Sequence, residues 1–368
     1  MKTNEKHIKE PLFHITKRTD IPPFKAWGIR LVAVLVALIV CAVVIVMITG
    51  YNPIQVYIKM FEGSFGTERK FFILLQNTAM LLCVSLAVTP AFKMKFWNLG
   101  AEGQVLVGGL ASAACMFYAK DSLPSWLLIV IMLVTSVLSG VIWGVLPAVF
   151  KAIWRTNESL FTLMMNYVAM QLVSFCIMVW VPNGSSVMGV LNQRSQCGWI
   201  PALFGQKYMV NIIIVAILTV VMFIYLHFSK QGYEISVVGE SENTARYVGI
   251  NVKNVIIRTM IISGAICGLT GFLLVSGTNH TVSKELAGGM GFTAIMVSWL
   301  AKFEPVMMIF TSMFIVFLQK GAGEIATSFR LNESVSDILT GIIIFFIIGS
   351  EFFINYRINI RTKQKEAE

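Results

Sequence analysis

Apolar runs of roughly 18–25 residues recur from end to end of this chain, and each is long enough to cross a hydrocarbon core. A backbone inside lipid must satisfy its own hydrogen bonds, so only helices and closed barrels span a membrane. Barrel strands alternate with a period of two, and these runs do not. The expected fold is therefore an all-α polytopic membrane protein with about ten transmembrane helices. The candidate spans are residues 29–50, 71–92, 98–119, 125–150, 160–181, 209–228, 256–277, 291–303, 305–322 and 336–355. The eighth is short and ends at Lys302-Phe303-Glu304-Pro305. The eighth and ninth together read as a broken or re-entrant hairpin.

Composition agrees. Hydrophobic residues make up 56% of the chain and charged residues 13%, with a mean hydropathy of +0.75. Soluble domains carry about 25% charged residues. The organisation expected is a cytoplasmic N-terminal segment (1–28), a membrane domain (29–355) with a cytoplasmic loop at about 229–255, and a cytoplasmic tail (356–368). The first run lies far from the start and lacks a small-residue cleavage site, so it reads as an uncleaved span.

Basic residues set the orientation. With the N-terminus inside, the inner segments collect 20 of the 29 Lys and Arg residues. The reverse orientation inverts that ratio, so both termini are expected in the cytoplasm. Trp27, Trp97, Trp126, Trp154 and Trp180 fall near run ends, where indole rings prefer the interface; Trp143 does not.

Several chemistries are disfavoured. The six cysteines, at 41, 83, 115, 176, 197 and 267, form no CxxC pair, and five lie in apolar runs as small packing residues. The four histidines are scattered without metal-site spacing. No GxxxxGK[ST], GxSxG, HExxH or kinase signature occurs. The formal charge of +10 fits basic residues held on the cytoplasmic side rather than nucleic-acid binding.

One polar stretch between two apolar runs reads as a short helix with a start and a stop. Ser241 is a good N-cap, Glu242 complements the dipole, and Gly249 suits the left-handed C′ position. Ala245 and Val248 lie three apart on one face, and with Tyr247 and Ile250 they form a small apolar surface. Two turns of helix are not stable alone in water. The helix either docks on a partner or lies on the bilayer or its own spans.

Polar groups within the runs are the second signal. Asn98-Leu99-Gly100-Ala101-Glu102-Gly103-Gln104 opens the third span with three polar side chains and two glycines. Glu102 lies about 6 Å deep by helical rise, where it reaches the interface, pairs with Lys93 or Lys95, or serves a proton relay. Asn157 caps the fifth span. Asn166 sits in mid-span, where it bonds a neighbouring helix or lines a path. Gly140/Gly144 and Gly264/Gly268 each form a GxxxG packing pattern. Gly288-Gly289-Met290-Gly291 suits a re-entrant turn.

Taken together these segments resemble the permease subunits of bacterial ABC importers for branched-chain amino acids, ribose and other simple sugars, and nucleosides. Four stretches carry the resemblance: Asn98 to Gln104; Asn157-Glu158 with Thr162-Leu163-Met164-Met165-Asn166-Tyr167; Val238-Gly239-Glu240 with Ala245-Arg246-Tyr247-Val248-Gly249-Ile250-Asn251-Val252; and Gly291-Phe292-Thr293-Ala294-Ile295 leading to Pro305. The pattern looks most like the longer subunit of the nucleoside and simple-sugar permeases.

The resemblance implies a translocation subunit without catalysis of its own, in a bacterial plasma membrane. ATP and Mg would sit on a separate cytoplasmic ATPase; no cofactor is expected on this chain. A second permease subunit would complete the path, and an external binding lipoprotein would deliver the substrate. Gly239, Glu240, Ala245, Arg246, Tyr247, Val248, Gly249 and Ile250 would couple to the ATPase. Asn98, Glu102, Gln104 and Asn166 are the candidates for the translocation path. The loop at about 182–207 is a surface loop or a contact for the external partner. The alternatives are an ion-coupled secondary transporter, which needs a coupling site near the midplane, and a permease for branched-chain amino acids.

Overall fold

The computed structural model describes residues 13–18, 22–119, 123–181, 188–203 and 205–360. Most of the N-terminal segment, residues 361–368 of the tail and 182–187 of the outer loop lie outside the described residues.

In chain order the elements are β1 (Phe13–Lys17), α1 (Pro23–Thr49), α2 (Pro53–Phe65), α3 (Glu68–Lys93), α4 (Ala101–Tyr118), α5 (Ser125–Trp154), α6 (Glu158–Trp180) and α7 (Met209–Phe228). Then come α8 (Lys230–Glu240), α9 (Glu242–Tyr247) and α10 (Val252–Leu274), which ends in a π-helical turn, Val275–Asn279. The chain closes with α11 (Met290–Leu300), α12 (Pro305–Ser328), α13 (Glu333–Asn355) and β2 (Tyr356–Ile360). All ten expected spans coincide with helices. Among the described residues, eight helices are long and apolar enough to cross a membrane; α4 and α11 are the remaining two of the ten. The protein is an all-α polytopic membrane protein.

The chain divides into two compact units, one of residues 1–63 and 318–368, the other of residues 64–317. In the first, α1 packs on α13 and the Arg30 guanidinium meets Glu351 at 2.5 Å. Beyond them β1 and β2 pair antiparallel, with Ile15 opposite Ile358. This strand pair was not expected. Neither was α2, although its Val56 and Met60, four apart, form a buried stripe.

In the second unit α3, α4 and α10 are the inner helices: 72% and 78% of the apolar windows of α3 and α10 are buried and most of α4 is buried too, against 28% for α5, α6 and α7. The two GxxxG patterns explain how α5 reaches α10 so closely. A Cβ on Gly264 would lie 2.4 Å from the Gly140 carbonyl oxygen, and one on Gly140 would lie 2.3 Å from that of Gly264. Backbone therefore meets backbone along this seam, and the Ser136 hydroxyl lies 2.7 Å from both the Gly108 and the Gly268 carbonyl oxygens. All six cysteines are unpaired.

Gly264→Val should force α5 and α10 apart and destabilise this unit by about 1–3 kcal/mol. Thermal unfolding in detergent measures this, and a melting temperature equal to wild type would contradict the seam.

Candidate functional site

Both groups of expected site residues lie in the unit of residues 64–317. The first is the loop at about 229–255, which holds two helices rather than one. Ser229 caps α8 by accepting from the Gly232 N–H at 2.9 Å, and Ser241 caps α9 by accepting from Thr244 at 3.2 Å. Gly249, with φ +81°, closes α9. Its N–H donates to the Arg246 carbonyl at 3.1 Å, and that of Ile250 donates to Ala245 at 2.9 Å. These two bonds are the Schellman pattern, in which a left-handed glycine lets the last carbonyls find donors. Asn251 then caps α10 through the Asn254 N–H at 3.3 Å. Local sequence therefore fixes every boundary of the loop.

Packing divides the residues that the sequence had placed on one exposed face. Ala245 is fully buried, in a cluster with Met94, Phe96, Ile235, Val255 and Met260. Tyr247 is 91% exposed and Val248 64%. The shared apolar surface is thus corrected: Ala245 is a foot planted in its own bundle, and Tyr247 and Val248 point outward. Gly239 is another contact point. A Cβ there would lie 2.1 Å from the Lys93 carbonyl oxygen, so α8 touches the end of α3 through backbone. The Arg258–Glu234 ion pair, at 2.8 Å and half-buried, ties α8 to α10. Glu240 and Arg246 are exposed, and Ile250 is partly buried.

The second group is the polar frame at the start of α4. Asn98, Glu102, Gln104 and Asn166 are all buried. The chain between α3 and α4 is not helical, so its peptide groups need partners. Asn98 Oδ1 accepts from the Gly100 N–H at 3.1 Å and from Gln104 Nε2 at 3.4 Å, while its Nδ2 donates to Ser263 Oγ at 3.2 Å. Asn166 reaches across from α6. Its Oδ1 accepts from Gly103 at 2.8 Å and its Nδ2 donates to the Leu99 carbonyl at 2.8 Å. Thr162 Oγ1 accepts from the Leu99 N–H at 3.1 Å.

Glu102 joins this frame to α11. One carboxylate oxygen accepts from Gly289 N–H at 2.8 Å and the other from Gly291 N–H at 2.7 Å. α11 has no side-chain cap of its own. The unpaired N–H groups and positive dipole end of a helix favour an anion there. Glu102 therefore serves as the N-terminal cap of a helix far away in sequence. Of the uses left open by the sequence, neither a Lys93 nor a Lys95 partner is what its carboxylate takes.

A third polar group had not been singled out. Gln76 of α3 and Asn211 of α7 both bond Thr278 in the π-helical turn, Asn211 Nδ2 at 3.5 Å. The signal was available: each is an amide within an apolar run. Just beyond, residues 188–203 fold onto the bundle. Ser276 Oγ donates to the Gly198 carbonyl at 2.5 Å, and the Trp199 and His280 rings stack at 3.7 Å. Burial there lowers the His280 imidazole pKa from its usual value. Among the described residues, no cluster of His, Cys, Asp or Glu could hold a metal ion.

Comparison with known proteins agrees with the architecture. Residues 71–348 match the family described as branched-chain amino acid transport system / permease component. The chain is 26% identical to the glucose ABC transporter permease protein TsgB13 of Haloferax volcanii, over 93% of this chain and 92% of that one. It is 28% identical to the guanosine ABC transporter permease protein NupP of Bacillus subtilis, over 88% and 93%. The nucleoside ABC transporter permease protein NupB of Lactococcus lactis is 27% identical over 83% and 86%.

Two stability predictions follow from the geometry. Glu102→Gln removes the charge and one of two acceptors from buried donors, and should cost about 1–3 kcal/mol; thermal unfolding in detergent and amide exchange at Gly289–Phe292 read it. Ala245→Asp buries an unpaired carboxylate and should cost about 3 kcal/mol or more. Tyr247→Asp should stay within about 0.5 kcal/mol of wild type, as exposed sites do. Equal losses at positions 245 and 247 would refute the inward placement of Ala245.

Proposed function

The chain belongs to the family of branched-chain amino acid transport system permease components, and on that premise we propose that it carries nucleosides or simple sugars across the plasma membrane as one subunit of an ABC importer. The observation that carries the proposal is the cytoplasmic loop. Its two helices are fastened by caps, by Ala245 and by Gly239, yet they leave Tyr247 and Val248 uncovered. A large aromatic and a branched aliphatic side chain held rigidly in this way suit a groove on a partner. Membership in the family sets aside the ion-coupled secondary transporter. The names of three relatives, for glucose, guanosine and nucleosides, favour those substrates over branched-chain amino acids.

In this reading the partner at the loop is a cytoplasmic ATPase, which binds ATP and Mg. Tyr247 and Val248 enter its surface, with Glu240 and Arg246 at the rim. Gly239, Ala245, Gly249 and Ile250 act by positioning them. A second permease subunit completes the path, and an external binding lipoprotein delivers the substrate. Asn98, Glu102 and Asn166 act on the path by holding the broken ends of α4 and α11. Gln104, whose Oε1 has no hydrogen-bond partner among the described residues, offers an acceptor to a passing hydroxyl.

The test is uptake in proteoliposomes holding the purified assembly. Uptake of labelled nucleoside should need both the ATPase and ATP, with excess unlabelled nucleoside or ribose competing and leucine not. Tyr247→Asp and Val248→Asp should each weaken ATPase association about tenfold or more, the range of an interface anchor, with insertion unchanged. Uptake by this chain alone on a proton or sodium gradient would defeat the proposal.

A further inference from the structure

A cleft of about 720 Å³ opens where the end of α5 meets α9 and the start of α10. Its lining carries four cations, Lys151, Arg155, Arg246 and Lys253, against one carboxylate, Glu242. Glu242 is 3.5 Å from Arg246, and Lys151 pairs with Glu158 at 2.7 Å. Arg155 and Lys253 are exposed and make no ion pair among the described residues. Arg155 also holds a left-handed backbone, φ +54°, as the cap of α5. That conformation costs a residue with a Cβ roughly 1 kcal/mol, and Arg155 is among the residues that line the cleft.

Two further features narrow the ligand. The first turn of α10 contributes Val252 and Lys253 to the lining and carries no acidic side chain, so its positive dipole end is uncompensated. Beside the cleft, Ile153 and Trp154 on the last turn of a membrane span are 54% and 63% exposed. Such side chains sit at the level where acyl chains give way to headgroups. Tyr247 and Val248, the anchors assigned to the ATPase, do not line the cleft, while Arg246, at the rim of that surface, does.

We propose that this cleft binds the phosphodiester headgroup of an anionic phospholipid of the cytoplasmic leaflet, with its acyl chains along Ile153 and Trp154. Basic pockets between spans on the cytoplasmic side are suited to such headgroups. Bound there, the lipid bridges the end of α5 to Arg246 of α9, and so fastens the loop to the bilayer.

The full chain in detergent micelles, given phosphatidylglycerol and phosphatidylcholine in equal parts, provides the test. Native mass spectrometry reads the lipid retained, without ATPase or transport substrate. Wild type should retain phosphatidylglycerol over phosphatidylcholine. Arg155→Gln with Lys253→Gln should lower that retention about fivefold per charge removed. Arg155→Lys with Lys253→Arg keeps both charges and should preserve it, which separates charge from local packing. Equal retention of the two lipids would overturn the proposal. So would release of phosphatidylglycerol by added inorganic phosphate, which marks a site for free anions. Unchanged retention in the neutral variant together with weaker ATPase binding would also overturn it, and would mark the cleft as a protein-docking surface.

Discussion

A peptide N–H or carbonyl left bare in hydrocarbon costs several kcal/mol, and this chain has two places where a helix breaks off among its spans. One lies between α3 and α4, the other before α11. Side chains from other helices settle both. Asn166 from α6 and Asn98 satisfy the first break, and Glu102 satisfies the second. Because Glu102 stands on the first turn of α4, the two breaks are joined by a single carboxylate. Removing it would leave the part-buried Gly289 N–H and the buried Gly291 N–H without that acceptor, which accounts for a buried carboxylate at this position.

The loop that carries α8 and α9 obeys a different rule. Its helices are too short to hold themselves, so they depend on Ser229, Ser241, Gly249 and Asn251 for their ends and on Ala245 and Gly239 for their seat. The two kinds of residue divide the labour. Gly239, Ala245 and Ile235 lie against the bundle, and Arg246, Tyr247 and Val248 face outward. Anything that pushes on Tyr247 therefore pushes on α3 and α10, two of the well-buried helices of their unit.

The spans were legible because lipid admits few alternatives: a run such as 209–228 can only be a helix, and α7 is that helix. The ends of α9 were legible because Ser241 and Gly249 act within a few residues of themselves. What was not legible depended on long-range packing. The partner of Glu102 lies 187 positions along the chain at Gly289, and no local pattern announces it. The inward turn of Ala245 follows from where α3 and α10 sit, which periodicity over six residues cannot convey. The strands β1 and β2 pair across almost the whole chain, and the π-helical turn interrupts an apolar run without a Pro to mark it.

That strand pair has a consequence for parity. An open two-stranded sheet cannot lie in hydrocarbon, so β1 and β2 occupy one side of the bilayer. β1 stands five residues before α1, and β2 follows α13 directly. Between them the chain must make an even number of crossings. Among the described residues nine helices reach 18 residues, α1, α3, α4, α5, α6, α7, α10, α12 and α13, which by themselves would make an odd count. At about 1.5 Å per residue, the 11 residues of α11 fall short of the tenth. The turn at residues 284–289 and the chain beside it must supply the rest of its depth. Strand and broken helix are thus two halves of one count, and an odd total is forbidden by a hydrogen-bonded ribbon at the opposite ends of the sequence.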